Sequence, residues 1–134
     1  MMDKVVRVAP NKSVILDTSH ILSNEKPFDY PNKLFVTQGV IDELYKLSFD
    51  QDEQKRDLAK HFFEEVTERM KNGDIYYVKS TVHPAETEAL SAIDENVIHV
   101  AQWLPNSVIF SNDFMLCSVA QKLGLETHSI RTIA

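Results

Sequence analysis

Cys117 is the only cysteine in this chain of 134 residues. No disulfide can close within it, and a zinc site built on several thiolates is excluded on the same count. The three glycines, Gly39, Gly73 and Gly124, cannot write G-x-G-x-x-G or G-x-x-x-x-G-K-[ST] anywhere. The dinucleotide fingerprint and the P-loop are therefore absent. No apolar run approaches the roughly 18 residues that a membrane span needs, so no membrane partner is expected. The opening segment, Met1 to Arg7, is broken by charges and holds no signal-peptide core. His20, His61, His83, His99 and His128 show no H-E-x-x-H or other ligand spacing. Positive charge is scarce, with 14 basic against 20 acidic residues and a net charge of −6. Domains that bind nucleic acid through their own charge are usually basic. An enzyme that meets nucleic acid through metal ions is compatible with this balance, because its site needs clustered carboxylates. With 43% apolar and 25% charged residues, the composition is that of a cytoplasmic, globular domain spanning residues 1–134. A chain this long can bury roughly 65–70% of its unfolded surface.

What is present alternates between strand and helix signals. Ser13–Leu16 is a short β-rich run, and Asp17-Thr18-Ser19 after it signals a turn of helix. Residues 24–33 hold two prolines and read as a loop. Leu34–Val36 reads as the second strand. A helix follows from Thr37 to Phe49, with Val40, Ile41, Leu44 and Leu47 as its apolar face. A longer helix covers about 52–71, striped by Leu58, Phe62, Phe63, Val66 and Met70 and stopped at Asn72-Gly73. Ile75–Val78 is the third strand, and 79–91 a polar loop. Ile93–Leu104 is helical, Val108–Phe110 is the fourth strand, and Phe114–Leu123 is a helix ending at Gly124. Glu126–Ile130 closes the chain as a strand. Strands that are apolar on both faces, alternating with helices, predict a parallel sheet covered on two sides, a three-layer α/β/α sandwich. Such sheets bind ligands outside the carboxyl ends of their strands, where the strand order reverses.

Four carboxylates stand out by position. Asp17 follows the first strand directly, and Asp113 follows the fourth after Ser111-Asn112. Asp94 precedes Val97, Ile98 and Ala101 by three, four and seven residues, which places it at the end of an apolar stripe. Asp113 stands in the same relation to Leu116, Cys117 and Ala120. Glu43 lies between Val40 and Leu47 on the core side of its helix, whereas Asp42 falls on a polar flank. Singly, Asp17, Asp94 and Asp113 suit helix N-caps. Jointly they need another reason, since carboxylates gathered at ~4 Å repel by up to roughly 4 kcal/mol per pair at an effective dielectric near 20. A cation relieves that repulsion. Oxygen-only ligands point to a hard ion, Mg²⁺ or Mn²⁺.

Four segments, in this order, resemble the PIN-domain family of metal-dependent ribonucleases. They are Val14–Ser19, Val36–Leu44, Ala92–Ile98 and Val108–Asp113, the last running on through Ala120 to Gly124-Leu125. The resemblance implies a PIN-like parallel α/β/α fold, with Asp17, Glu43, Asp94 and Asp113 as both the catalytic and the metal-binding cluster. It implies that Ser111 supports the cluster by hydrogen bonding. It further implies one or two Mg²⁺ or Mn²⁺ ions, an RNA substrate, and, for members that are toxins of toxin–antitoxin pairs, an antitoxin partner and a homodimer. The chain departs from the family pattern at Thr37, where a proline is common, and at Met115, where many members have another acid.

The expected reaction is hydrolysis of an RNA phosphodiester by a metal-activated water. Lys12, Lys46 and Lys79 are candidate phosphate contacts near predicted element ends. Cys117, Phe62, Phe63, Tyr76 and Tyr77 read as packing. A phospho-receiver domain is disfavoured, because the third strand ends in Val78-Lys79-Ser80 with no Asp. The other alternative is a catalytically silent PIN-like domain that binds or scaffolds.

Overall fold

Val14, Ile15 and Leu16 are completely buried, as are Val108, Ile109 and Phe110. Strands apolar on both faces need cover on both faces, and these two lie side by side in the middle of the sheet. The computed structural model describes residues 8–79 and 91–129. Its elements are β1 (Ser13–Leu16), α1 (Thr18–Ser23), β2 (Lys33–Thr37), α2 (Gln38–Leu47), α3 (Glu53–Lys71), β3 (Ile75–Val78), α4 (Ala92–Trp103), β4 (Ser107–Phe110), α5 (Phe114–Lys122) and β5 (Glu126–His128). The sheet order is β3-β2-β1-β4-β5 and every pairing is parallel. α1 packs on α3, and α4 on α5, which is the separation onto two faces that right-handed crossovers require for this strand order. The three-layer α/β/α architecture expected from the sequence is the one observed.

The chain leaves β1 towards β2 and β3, then returns to β4 and continues to β5. The strand order therefore reverses between β1 and β4. Their register pairs Leu16 with Phe110, and the ladder runs one step further, with Asp17 N donating to Phe110 O at 3.0 Å. The residues immediately after these two strands are thus brought together at the carboxyl edge.

Local chemistry explains most element ends. Thr37 Oγ1 accepts from Val40 N and caps α2, so the residue standing in place of a proline has a structural task. Gly73 and Gly124 take positive φ (81° and 80°) just past α3 and α5, a conformation that side chains resist. Several sequence expectations need correction. Leu58 is 40% exposed and does not join the α3 stripe, which is carried by Ala59, Phe62 and Val66. Tyr76 and Tyr77 are exposed on edge strand β3, where Tyr76 stacks on Phe35. An edge strand has one neighbour, so its side chains find less cover. Cys117 is only half-buried. The final strand ends at His128; Ile130 and most of the 79–91 loop, with His83, lie outside the described residues. No helix among the described residues is long and apolar enough to cross a membrane.

Candidate active site

Asp17, Glu43, Asp94 and Asp113 all line one cavity of about 350 Å³, together with Thr18, Ser19, Leu22, Leu47 and Ser91. It opens at the switch point between β1 and β4. Each acid arrives by a different route. Asp17 is the N-cap of α1 and Asp113 the N-cap of α5, where its Oδ1 accepts from Met115 N and Leu116 N. Glu43 projects from α2, one residue before the fully buried Leu44. Asp94 is not the N-cap of α4, contrary to the sequence expectation. Ser91 takes that position and its Oγ accepts from Asp94 N, so Asp94 stands in the first turn. There its carboxylate lines the cavity beside Ser91, with which it also hydrogen-bonds. Gly39 lets α2 approach α4 closely: a Cβ built on it would lie 3.3 Å from the Ile93 side chain.

Asp17 is 3% exposed. Its Oδ2 accepts from Ser19 Oγ at 2.7 Å and from Ser111 Oγ at 2.8 Å, with Ser19 N at 3.4 Å. Each hydroxyl has one proton, and both are committed to Asp17. The 3.1 Å approach of the two hydroxyls is therefore a close contact and not a third bond. As acceptors both hold the segment after β4, Ser19 Oγ taking Asn112 N and Ser111 Oγ taking Asp113 N. Burial still dominates and holds the Asp17 carboxyl above the usual carboxylate range. Burial and then the charges of Asp17, Asp113 and Glu43 push Asp94 up to about 6. No lysine or arginine pairs with any of the four acids among the described residues. A cluster of this sign, without a counter-ion of its own, is a place where a cation would be welcome.

The donors are all oxygens, which fits a hard divalent ion. As placed, however, no three His, Cys, Asp or Glu side chains among the described residues form a group that could hold a metal ion. The fit is thus one of donor chemistry and shared cavity.

The three lysines do not line the cavity. Lys12 stands ahead of β1, at the opposite edge of the sheet, and pairs with Glu126 at 2.9 Å. Lys46 and Lys79 are exposed, one in the last turn of α2 and one just beyond β3. Reading the sequence missed Thr18, Ser19 and Ser91 as site residues. Ser91-x-x-Asp94 is a capping-box pattern that was there to be read. Thr18 carries no such signal. Its Oγ1 is buried with no hydrogen-bond partner, alone in this among the described residues.

A doubly wound parallel sheet with carboxylates gathered at its switch point defines an acidic-site α/β domain. The chain belongs to the PIN domain family, whose model matches residues 14–131. PIN domains are generally nucleases, and those nucleases generally use divalent metals. No curated protein matches the chain. Solved structures similar to it include a domain of a functionally unknown protein from Methanocaldococcus jannaschii DSM 2661, at 16% identity and a TM-score of 0.64, covering 92% of this chain and 94% of that one. A PilT N-terminus domain protein from the hyperthermophilic archaeon Sulfolobus solfataricus P2 is similar at 14% identity and a TM-score of 0.61, covering 87% and 86%. The PIN domain endonuclease Utp24 is similar at 15% identity and a TM-score of 0.65, covering 92% and 89%. At these identities the likeness is one of fold.

Proposed function

We propose that this protein is a metal-dependent endoribonuclease whose site is Asp17, Glu43, Asp94 and Asp113. The observation that carries the reading is the gathering of these four acids on one cavity with no basic partner among the described residues. Mg²⁺ or Mn²⁺ bound among them would neutralise charge on a phosphodiester and lower the pKa of a water. The chain's own part is to orient. Ser19 and Ser111 fix Asp17, and the α5 amides fix Asp113. Lys46 and Lys79 remain candidates for phosphate contacts at longer range. Lys12 does not, because it faces the other edge of the sheet. A toxin's antitoxin and a homodimer stay expectations of the resemblance.

The second reading, a catalytically silent binding module, is favoured by one observation: among the described residues no three ligating side chains converge. One experiment separates the two. Labelled RNAs and single-stranded DNA are incubated with Mg²⁺, Mn²⁺ or EDTA, using wild type and Asp17→Asn. Metal-dependent cutting of RNA that the substitution removes supports the nuclease. No cutting by folded protein, with a melting temperature indifferent to Mn²⁺, supports the silent module, since a ligand of the folded state must raise that temperature.

A further inference from the structure

Phe114 is the most exposed large apolar side chain among the described residues, at 77%, and Met115 beside it is 45% exposed. Both follow Asp113 directly. On α5 the inward residues are Leu116 and Ala120, and Phe114 lies about 200° round the helix from Leu116. Tyr45 and Phe49 lean on each other, and Tyr76 on Phe35, but the Phe114 ring touches no other ring among the described residues. Asp113 is a cavity-lining acid, and neighbouring Cα atoms are about 3.8 Å apart. The ring therefore stands within a nucleotide's reach of a phosphate held at Asp113.

A polyanion approaching this site lacks the usual means of binding. The chain carries a net charge of −6, and among the described residues no lysine or arginine lines the cavity. Base faces are uncharged, and aromatic side chains hold them regardless of sequence. Only unpaired bases expose those faces. We propose that Phe114, flanked by Met115, is a stacking platform for an unpaired base next to the scissile phosphate. This rests on the nuclease reading and adds a specificity-determining residue to it.

The test pairs protein and strand. Wild type, Phe114→Ala and Phe114→Trp are assayed on a single-stranded RNA, on the same RNA with abasic nucleotides flanking the cut, and on its duplex. Phe114→Ala should raise KM on the single strand roughly tenfold or more, leave kcat nearly unchanged, and be rescued by Phe114→Trp. Abasic flanks should cost wild type a similar factor and cost Phe114→Ala almost nothing. Wild type should prefer the single strand over the duplex. Equal activity of Phe114→Ala, or an abasic penalty equal in both proteins, overturns the platform while leaving the nuclease standing. If wild type cuts nothing, the nuclease reading fails instead. The platform is then judged by the fluorescence of Phe114→Trp in a Trp103→Phe background: quenching by the single strand upholds it, and unchanged emission overturns it.

Discussion

Ser111 Oγ donates to Asp17 Oδ2 at 2.8 Å and in the same position accepts from Asp113 N at 3.0 Å. One buried hydroxyl thus ties the ends of β1 and β4 together and places two acids of the candidate site. Ser111→Ala removes the donor and leaves the Asp113 amide without its partner. Lost hydrogen bonds to buried groups cost about 1–3 kcal/mol. The expected outcome is a fall in Tm of roughly 5–10 °C by calorimetry. Ser19→Ala, at a half-buried position that water can reach, should cost less.

Asp94 is the acid whose charge the fold tolerates worst. Its folded pKa of about 6 lies above the unfolded value of 3.8. The folded state holds the proton more tightly, so stability declines as pH rises from about 4 to 6 and stays lowered above that. Asp94→Asn should therefore stabilise the metal-free protein at pH 7–8, by about 1 kcal/mol once solvent screening of this half-exposed group is allowed for. The gain should vanish below pH 4. Urea unfolding in EDTA at several pH values measures it, and a variant less stable than wild type at pH 8 would contradict the crowding of charge.

His20 works with the opposite sign in the same pH range. It is completely buried against Phe110 and Tyr30, with Nε2 at 3.3 Å from Pro27 O and Nδ1 at 3.3 Å from Asn24 Nδ2. Asn24 Nδ2 can only donate, which assigns the ring proton to Nε2. Burial lowers its pKa from 6.5 to about 4. Its stabilising effect is complete above 6.5 and is lost as pH falls towards 4. Wild type then shows a shallow pH dependence between 6.5 and 4, because Asp94 gains there what His20 loses. Asp94→Asn should unmask a steeper decline on acidification, and adding His20→Gln should flatten it while lowering Tm at pH 7.5.

Thr18 offers a test in which a substitution strengthens the fold. Its unpartnered, buried hydroxyl carries a desolvation cost with nothing returned. Thr18→Val keeps the shape and removes that cost, so Tm should rise by roughly 2–4 °C. Thr18→Ser keeps the hydroxyl, loses a methyl group and should be less stable than wild type. A fall in Tm for Thr18→Val would show that the hydroxyl is bonded in solution.

The sheet and its acids were legible for a simple reason. Fully apolar runs such as Val14–Leu16 and Val108–Phe110 must be central strands, and an acid following each must lie at the carboxyl edge. Glu43 and Asp94 were legible from helical spacing, because an acid three or four residues from buried apolar positions shares their face. The start of α4 was misplaced because Ser91 follows a polar stretch and resembles loop. Its capping role shows only once Asp94 is seen in the first turn. Thr18 was invisible, since nothing in a sequence distinguishes a satisfied hydroxyl from an orphaned one. The exposure of Leu58 and Tyr76 was misread for a related reason: periodicity gives a side chain's direction but not whether a neighbour covers it.

The Asp17–Ser111 link spans 94 residues. At about 5–20 residues per second of synthesis, Ser111 emerges roughly 5–20 seconds after Asp17. Until then β1 has only β2 beside it, and the acids of the two chain halves are apart. The cleft is completed only after Asp113, the last of its four acids, has been made. A nascent chain that stops short of α4 therefore holds Asp17 and Glu43 on an open half-sheet, with the wall that Asp94 and Asp113 supply still missing.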